Sequence, residues 1–599
     1  MLLNIFRPPR KIVEEKRNRK FTTYIDKRGK TIEIDLPSTQ LEYSYNAAEQ
    51  VQTITEIIGG TTERSFGYTY DGLDRVASYA ETHRNVVKHK ETYTYDEYGK
   101  ITEVKYDSGL TYRYGYKSAT DSEIESIAIG ENLTVQPKTD VNGRNKGKVV
   151  LFNNEKVAEE KITYRKVGDH ATNMPGTVWF GSKTNGNYHV SDSVRYAYDK
   201  MGNIERVYEN GELAIRYQYD SINRLIREDN KILDKTFLFV YDNNGNIVKK
   251  TTFNKVSLLD STLLEELDSE DEVYVYDGDR MVLYNGESCV YDSIGEPTTY
   301  RGKEVSWANG YIVRYNGLPI SHDAQGRRTD RGGVSFTYDS NGKLIKQSDG
   351  FEFFYDQAGV AGMKYNGATY IYRKDAQGNV IALIDETGKI VARYVYDAWG
   401  MATAIDVNGV KITSTTHVAN LNPFRYRSYN YDTEMKLYFL KTRYYDPEVG
   451  RFISEDGIEY LNPQIINGIN LYIYCINNPV MYVDPNGTRS WKERWQKIAN
   501  WFKSTFGAFA EVTKNIVNTV KDYFFFGWES GIDAGHVFGD DSKPISIFVS
   551  RPSDFWKIFE YQVGVKIQIG NLVSLVQLDS EALRLHLDGI NQPLIFNLV

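Results

Sequence analysis

Cysteine is scarce in this chain of 599 residues, which contains only Cys289 and Cys475. Two cysteines this far apart rule out a disulfide framework and any cysteine-rich zinc cluster. The eight histidines are also widely spaced, and neither an HExxH motif nor a GxxxxGKS/T motif occurs. The sequence therefore gives no support to a zinc metalloprotease or a P-loop nucleotide site, and we expect no metal and no cofactor.

Long apolar runs are missing as well. The N-terminal stretch MLLNIFRPPR has too few apolar residues for the core of a signal peptide, and no run of 18 apolar residues follows. We therefore expect a soluble protein that reaches the cell surface or the medium by an unconventional export route. The formal net charge of −8, from 72 basic and 80 acidic residues, gives no general attraction to nucleic acid.

Tyrosine, in contrast, is abundant. The 47 tyrosines outnumber the 26 phenylalanines and 8 tryptophans together, while glycine is frequent at 48 and proline is rare at 15. This composition predicts many short, half-buried strands separated by tight turns. Because 41% of the residues are hydrophobic and only 25% are charged, the chain has enough apolar content to build a core, which argues against general disorder.

A repeat with the pattern aromatic-x-Tyr-Asp-x-x-Gly-x-apolar runs through most of the chain. Clear copies cover residues 93–101, 196–204, 239–247 and 336–344. Looser copies place the Tyr-Asp pair at 70–71, 219–220, 276–277, 291–292, 355–356 and 396–397. We interpret each copy as a β-hairpin in which Asp opens the turn and Gly accepts its positive φ. Because one hairpin cannot bury its aromatic face alone, the copies must share a continuous sheet.

The stretch from Asp242 to Asn246 also looks like a calcium-binding loop. An EF-hand requires glycine at the sixth position of its loop and glutamate at the twelfth. Counting from Asp242, the glycine is fourth and the twelfth residue is Phe253, which has no oxygen to offer a metal ion. The turn is therefore favoured over a calcium site.

The copies resemble the YD repeats of the Rhs and teneurin-like proteins, whose repeats spiral into a large hollow β-shell. The resemblance covers roughly residues 60–488. It implies a mainly β fold, a spiralling sheet of YD-repeat hairpins that forms a complete or incomplete shell, followed by a small α+β C-terminal domain. The expected divisions are a partly β lead-in over 1–60, YD repeats over 61–419, an Rhs-associated core over 420–488 and a variable domain over 489–599.

The most specific motifs lie at the end of the repeat region. Residues 443–454 read RYYDPEVGRFIS, and residues 478–487 read NPVMYVDPNG. Both segments resemble the Rhs-associated core, which seals the shell in that family. In many members the core is also an aspartic self-protease that cuts the chain just after the DPxG motif.

This resemblance implies a catalytic role for three residues. Asp456 and Asp484 match the two catalytic aspartates of the family, and Arg443 matches its essential arginine. Two neighbouring carboxyl groups share a proton, so one acts as a general base on water while the other polarises the scissile carbonyl. A fixed guanidinium would hold a carboxylate or the developing oxyanion. The expected cleavage region is Gly487, Thr488 and Arg489.

A purely structural role is the alternative for these residues. The DPNG segment is also a favourable turn, and Arg443 would equally well pair with Asp446. The sequence departs from the family pattern at Gly457, where proline is usual, and at Thr488, where self-cleaving members tend to have a large apolar residue. Self-cleavage and a structural core therefore both stay open at this point.

The sequence changes character after Thr488. Apolar residues spaced by three and four over 489–526 predict amphipathic helices, with seven basic residues against three acidic ones. Such helices would pack on their own domain or lie on a membrane surface. From about residue 545 an alternating pattern predicts strands. His536, Asp533 and Asp540 form a weak candidate site for a nuclease or hydrolase effector, and a solvated turn is the alternative.

Three functions fit these observations. The first is a polymorphic-toxin carrier whose β-shell encloses and presents a C-terminal effector, released by self-cleavage. The second is a cell-surface adhesion module that is not cleaved, and the third is a shortened orphan fragment. The expected partners of the carrier are its own C-terminal domain as cargo, an immunity protein and a secretion or delivery apparatus, with no nucleic acid partner evident.

Overall fold

The computed structural model describes most of the chain up to residue 488 and separate strands beyond it. The described residues are 10–16, 19–26, 28–36, 39–167, 170–184, 186–256, 267–457, 469–488, 537–538, 545–550, 562–569, 572–578, 582–587 and 594–597. The chain forms two compact units, Met1–Ser490 and Trp491–Val599. The domain divisions assigned from the sequence stay a prediction.

The first sheet of the larger unit is an antiparallel meander of 24 strands, each paired with the next one in the sequence. Its strands are β1 (Arg10–Lys16), β2 (Arg19–Ile25), β3 (Thr31–Asp35), β4 (Gln40–Tyr45), β5 (Val51–Ile58), β6 (Thr61–Tyr70), β7 (Val76–His83), β8 (Val86–Tyr95), β9 (Ile101–Tyr106), β10 (Thr111–Tyr116), β11 (Ile124–Ile129), β12 (Leu133–Thr139), β13 (Asn145–Phe152), β14 (Glu155–Val167), β15 (His170–Thr184), β16 (Asn187–Tyr198), β17 (Ile204–Glu209), β18 (Glu212–Tyr219), β19 (Leu225–Asn230), β20 (Lys235–Tyr241), β21 (Ile247–Phe253), β22 (Ser269–Asp277), β23 (Arg280–Tyr284) and β24 (Glu287–Ser288).

A second meander of 14 strands follows and leads into a small sheet of four strands. The 14 strands are β25 (Val290–Tyr291), β26 (Pro297–Tyr300), β27 (Lys303–Ala308), β28 (Tyr311–Tyr315), β29 (Leu318–His322), β30 (Arg328–Arg331), β31 (Val334–Tyr338), β32 (Leu344–Gln347), β33 (Phe351–Asp356), β34 (Gly359–Tyr365), β35 (Ala368–Lys374), β36 (Val380–Asp385), β37 (Ile390–Tyr396) and β38 (Ala402–Ile405). After the one-turn helix α1 (Val418–Leu421) come β39 (Asn430–Asp432), β40 (Leu437–Phe439), β41 (Tyr444–Asp446) and β42 (Arg451–Phe452).

The C-terminal unit contains a separate antiparallel sheet of six strands. They are β43 (Val537–Phe538), β44 (Ile545–Ser550), β45 (Gln562–Ile569), β46 (Leu572–Leu578), β47 (Ala582–Leu587) and β48 (Leu594–Asn597). The mainly β fold class predicted from the alternating pattern is therefore confirmed. The helices predicted over 489–526 lie outside the described residues.

The turns of the hairpins explain the Asp-x-x-Gly part of the repeat. In the turn that begins at Asp242, the backbone N–H of Asp242 donates to the Asn246 carbonyl at 3.0 Å, and the Asp242 Oδ1 accepts the Asn246 N–H at 2.8 Å. The Gly245 N–H donates to the Asp242 carbonyl at 3.2 Å, and Gly245 has a φ of 81°. The aspartate thus satisfies the backbone of its own turn, and the glycine takes the left-handed conformation that closes it.

In most copies of the repeat, the tyrosine connects its hairpin to the one before it. The Tyr241 hydroxyl donates to the Leu225 carbonyl at 2.5 Å, and the Tyr219 hydroxyl donates to the Ile204 carbonyl at 2.7 Å. Leu225 and Ile204 each begin the strand that follows the preceding turn. Equivalent bonds to an earlier backbone carbonyl are made by Tyr45, Tyr70, Tyr95, Tyr116, Tyr164, Tyr198, Tyr276, Tyr338, Tyr355 and Tyr396.

The two large sheets share apolar cores. In the smaller core, Val150 and Ile127 of the first sheet are buried together with Phe354 and Ile371 of the second sheet. The residues of the larger core lie between Ile162 and Val480 in the sequence, and they include the buried tyrosines of the four-stranded sheet. Burial of both sheets against each other and against the 420–488 segment therefore supplies the main stabilisation of this unit.

Asparagines of the 470–480 segment dock on the turns of the first sheet. The Asn470 amide donates to the Asn246 Oδ1 at 2.7 Å, and the Asn477 amide donates to the Gly245 carbonyl at 2.6 Å. The Asn478 amide donates to the backbone carbonyl of Asn223 at 2.9 Å. These contacts with successive repeat turns fix the segment that leads into Asp484.

Candidate functional site

Three separate segments of the core bring Arg443, Asp456 and Asp484 together. Arg443 lies between β40 and β41, Asp456 follows β42, and Asp484 begins the turn that ends at Thr488. The backbone N–H of Asp456 donates to the Leu471 carbonyl at 3.1 Å, which fixes it beside the 470–480 segment. All three side chains are buried, with exposed fractions of 2% to 8%.

The guanidinium of Arg443 connects the three segments. Its Nη2 lies 2.9 Å from the Asp456 Oδ2 and 3.6 Å from the Asp484 Oδ2. Its Nη1 donates to the Leu471 carbonyl at 2.8 Å, and its Nε donates to the Gly487 carbonyl. One planar cation therefore holds both carboxylates and the carbonyl of the expected cleavage region at the same time.

The face of the same guanidinium rests on an aromatic ring. The carbon at its centre is 3.6 Å from the centroid of the buried Phe452 ring. This stacking leaves the edge of the guanidinium free to donate its hydrogen bonds, so Phe452 fixes the plane in which the donors lie.

The two aspartates have different surroundings. The Asp456 Oδ1 accepts the Gly457 N–H at 2.8 Å, and the Asp484 Oδ1 accepts the Thr488 N–H at 3.0 Å. The pKa of Asp484 is raised to about 6, because burial and the neighbouring Asp456 charge together outweigh the opposing effect of Arg443. Asp484 is therefore suited to carry a proton near neutral pH.

The turn from Asp484 to Thr488 is pressed closely against the loop that contains Arg443. Gly487 has a φ of 73°, and a Cβ built on it would lie 2.8 Å from the Leu440 carbonyl oxygen. The Thr442 hydroxyl donates to the Asn486 carbonyl at 2.7 Å. Only glycine fits at position 487, since both its backbone conformation and the space around it exclude a side chain.

Both ends of the Gly487–Thr488 peptide bond therefore meet a functional group. Its carbonyl oxygen accepts a hydrogen bond from Arg443, and its nitrogen lies 3.0 Å from the Asp484 Oδ1. From the sequence, the polarisation of the scissile carbonyl was assigned to a protonated carboxyl group. In the structure it is the guanidinium that contacts the Gly487 carbonyl, which lies in the expected cleavage region. Such an arrangement is chemically able to stabilise an oxyanion and to protonate the leaving amine.

The alternative partner considered for Arg443 is engaged elsewhere. The Asp446 Oδ2 lies 3.2 Å from Arg301 Nη1 and accepts the Tyr300 hydroxyl at 3.1 Å. The pairing of Arg443 with Asp446 is therefore wrong. Because Arg301 comes from the second sheet, 145 positions earlier in the chain, its contact with Asp446 had no local signal in the sequence.

One neighbour of the site was missed at the sequence level. The Asp484 backbone N–H donates to the Tyr429 hydroxyl at 3.0 Å, and that hydroxyl lies 3.1 Å from the Tyr474 hydroxyl. Tyr429 and Tyr474 are both buried in the tyrosine-rich core. The tyrosine content of residues 426–474 is the only signal in the sequence, and it does not distinguish these two from the other tyrosines.

The remaining candidate residues lie outside the described residues. They are Arg489, Asp533, His536 and Asp540. In the described part of the chain, no three His, Cys, Asp or Glu side chains are grouped in a way that would hold a metal ion. No helix among the described residues is both long and apolar enough to cross a membrane.

Comparison with known proteins places the repeat in a recognised group. The Teneurin YD-shell family matches residues 351–480. The chain is 28% identical to the tRNA3(Ser)-specific nuclease WapA of Bacillus spizizenii over 312 residues. This match covers 50% of this chain and 11% of that protein. The chain is 25% identical to Double-stranded DNA deaminase toxin A of Burkholderia cenocepacia over 353 residues. This match covers 49% of this chain and 22% of that protein. The chain thus spans less than a quarter of the length of either relative.

Solved structures show a similar fold. The complex TcdB2-TccC3 superposes with a TM-score of 0.56 at 13% identity, covering 79% of this chain and 28% of that chain. The Photorhabdus luminescens Tc holotoxin pore gives a TM-score of 0.56 at 13% identity, covering 78% and 27%. The repeat, the fold and the family match together define a β-shell of YD repeats. The family match over residues 351–480, the relatives and the similar folds together support the Rhs/YD-repeat shell that the sequence predicted.

Proposed function

We propose that this chain is a polymorphic-toxin-type carrier that separates its C-terminal domain from its repeat region by cutting itself once. The cut falls within Gly487, Thr488 and Arg489. The observation that carries the proposal is the position of Arg443, which contacts Asp456, Asp484 and the Gly487 carbonyl with one guanidinium. Other largely buried arginines also make several contacts, as Arg301 does with Asp446 and Glu448. What distinguishes Arg443 is that it contacts two carboxyl groups together with a backbone carbonyl inside the expected cleavage region.

The proposed reaction is hydrolysis of one peptide bond. Asp456 acts as the general base that takes a proton from the attacking water. The Arg443 Nε stabilises the negative charge that develops on the Gly487 oxygen. Protonated Asp484, whose Oδ1 lies 3.0 Å from the Thr488 nitrogen, donates its proton to the leaving amine. Because enzyme and substrate are the same chain, each molecule reacts once. A pair of carboxyl groups that exchanges protons in this way works without a metal.

The C-terminal domain is the proposed effector. Support comes from the relatives whose names describe a nuclease and a deaminase toxin, together with the change of sequence pattern after Thr488. In this proposal the shell presents the domain to a delivery apparatus, the protein acts outside the producing cell, and an immunity protein protects that cell. The target of the effector is left open, since His536, Asp533 and Asp540 lie outside the described residues.

The second candidate function is adhesion at a cell surface without cleavage. It is favoured by a relative named Salivary gland surface protein 1 from Aedes aegypti, which is 26% identical over 305 residues and covers 49% of this chain and 8% of that protein. In that case Arg443, Asp456 and Asp484 would be a buried structural cluster. The two functions differ in whether the purified chain is one polypeptide or two.

The test is the state of the purified full chain. Wild type is expected to give two bands on a denaturing gel, the smaller containing about 110 of the 599 residues. Asp484→Asn and Asp456→Asn are each expected to give one band, because amides cannot exchange the proton. Asp406→Asn, at an exposed repeat turn, is the matched control and should be cut like wild type.

The mass of the small fragment locates the bond. A fragment beginning at Thr488 would place the cut at the bond contacted by Arg443 and Asp484, and one beginning at Arg489 would place it one bond later. A single band from a soluble, compact wild type would refute self-cleavage and favour the adhesion function. Growth arrest on expression of wild type but not of Asp484→Asn would add support for a released effector.

A further inference from the structure

A second buried cluster of charged groups lies on strands of the two large sheets, at a place where these sheets meet. Lys148 and Glu160 are directly opposite each other in the pair formed by β13 and β14. The Lys148 Nζ lies 2.6 Å from the Oδ2 of Asp356, at the end of β33. The lysine and the aspartate are 208 positions apart in the chain. A primary amine and a carboxyl group of different sheets are therefore in direct contact.

The surroundings of this contact are apolar. Val150 and Ala158 are opposite each other two residues along the same strand pair, so they share a face with Lys148 and Glu160. Phe354 precedes Asp356 by two residues in β33. Val150, Ala158 and Phe354 all belong to the smaller apolar core, and the Lys148 and Asp356 side chains are 12% and 4% exposed. The pair is thus largely shielded from water.

The cluster contains a second amine, Lys374, and a second carboxyl group, Glu160, and burial disfavours the charged form of both. The Lys374 Nζ, at the end of β35, donates to the Ala358 carbonyl at 3.4 Å, close to Asp356 in the chain. Burial and then the Lys148 charge lower the pKa of Lys374 to about 8, and burial raises the pKa of Glu160 above its usual range. At the contact itself, burial disfavours both charges, but the attraction between them raises the pKa of Lys148 and lowers the pKa of Asp356. The resting contact is therefore an ion pair, which must transfer a proton within the pair before amine and carboxyl group react.

We propose that Lys148 and Asp356 form an intramolecular isopeptide bond that joins the two sheets covalently. The Lys148 Nζ attacks the Asp356 Cγ, a C–N bond forms, and the C–O bond of the carboxyl hydroxyl breaks. Protonated Glu160 gives its proton to the departing oxygen while its other oxygen takes a proton from the attacking amine, so Glu160 is regenerated and the products are one amide and one water. The reaction uses no oxidant or reductant, because the ion pair already contains all the atoms of the amide and the water.

Three features of the site favour this reaction. The 2.6 Å contact between the Lys148 Nζ and the Asp356 Oδ2 keeps the amine next to the carboxyl group, which replaces a bimolecular encounter by an intramolecular one. The apolar core excludes bulk water, so hydrolysis of the product is suppressed. The amide also removes two charges from the interior, where an ion pair recovers its desolvation cost poorly. The bond is independent of the proposed self-cleavage, since both residues precede Gly487.

The mass of the purified protein tests the proposal. The chain, or its large fragment if it is cut, is expected to weigh about 18 Da less than its sequence, the mass of one water. Trypsin digestion should then give the peptide of residues 147–156 joined to that of residues 347–364. A folded wild type with the full sequence mass would overturn the proposal, and so would a mass loss that maps to other residues.

Matched variants separate the bond from the ion pair. Lys148→Arg keeps the positive charge beside Asp356 but has no amine that forms this amide, so it should show the full mass. Glu160→Gln keeps the lysine and the aspartate and should also show the full mass or a much slower loss of water. Retention of the water loss in Lys148→Arg would overturn the proposal, and rapid loss in Glu160→Gln would refute the proton transfer assigned to Glu160.

Discussion

Replacement of Gly487 by alanine would test how closely the turn after Asp484 must be pressed against the Arg443 loop. The added Cβ would lie 2.8 Å from the Leu440 carbonyl oxygen, 2.8 Å from the Thr442 Oγ1 and 3.1 Å from the Arg443 nitrogen. Two of these three atoms are backbone atoms and cannot rotate away. The turn must therefore move outward, and the Gly487 carbonyl must move away from the Arg443 Nε.

The size of the effect follows from two separate contributions. Alanine in the left-handed region costs about 1–2 kcal/mol of stability. A shift of about 1 Å at a reacting carbonyl costs on the order of 100-fold in rate. Gly409→Ala separates the two, because Gly409 has a φ of 82° but no atom within 4 Å of its Cβ position. We expect Gly487→Ala to slow cutting by on the order of 100-fold and Gly409→Ala to leave it unchanged.

The assay is the fraction of cut chain against time after synthesis, measured by gel densitometry. Both variants should first be shown to unfold cooperatively in urea, so that a lack of cutting is not caused by misfolding. Cutting of Gly487→Ala at the wild-type rate would refute the role assigned to close packing of this turn. Equal slowing of both variants would trace the effect to backbone strain alone.

Three further predictions concern protonation and the repeat. Because Asp484 must carry its proton, the rate of cutting should fall as the pH rises through about 6, measured by gel between pH 5 and pH 8. Tyr241→Phe should lower the free energy of unfolding in urea by about 1–2 kcal/mol, because a buried backbone carbonyl loses its donor. The exposed Tyr98→Phe should leave it unchanged. Burial and then the Asp397 charge raise the pKa of Glu228, so the folded state binds this proton more tightly than the unfolded state. The free energy of unfolding should therefore fall as the pH rises above about 4.3, the usual pKa of glutamate. Glu228→Gln should reduce this fall, measured by urea unfolding at pH 5, 7 and 9.

The repeat pattern predicted the hairpins but only part of the role of tyrosine. Alternation and the Asp-x-x-Gly turn are local properties, so the strands and turns around Asp242 followed from the sequence. The hydroxyl bond from Tyr241 to the preceding repeat was not predicted, because the aromatic ring was interpreted only as part of a buried face. The consistent choice of tyrosine over phenylalanine before the aspartate was the available signal, since only tyrosine carries a donor.

The candidate site was predicted to a similar degree. The resemblance of the core motifs selected Arg443, Asp456 and Asp484, and the structure brings these three side chains together. The contact between Arg443 and the Gly487 carbonyl did not follow from spacing, because it depends on how the last turn packs against a distant loop. The contact between Lys148 and Asp356 depends in the same way on the packing of two sheets, and no local pattern encodes it.

The tyrosine bonds have a direction along the chain, and this bears on the order of assembly. Each hydroxyl reaches back to a carbonyl that is synthesised earlier, as Tyr219 does toward Ile204 and Tyr241 does toward Leu225. A new hairpin leaving the ribosome therefore finds its acceptor already in place, and it does not wait for later residues. Growth of the sheet is expected to proceed from the N-terminus one hairpin at a time, with an open edge for only the newest strand. Repeats would then be gained or lost during evolution as whole units, because each newcomer needs only its immediate predecessor as a template.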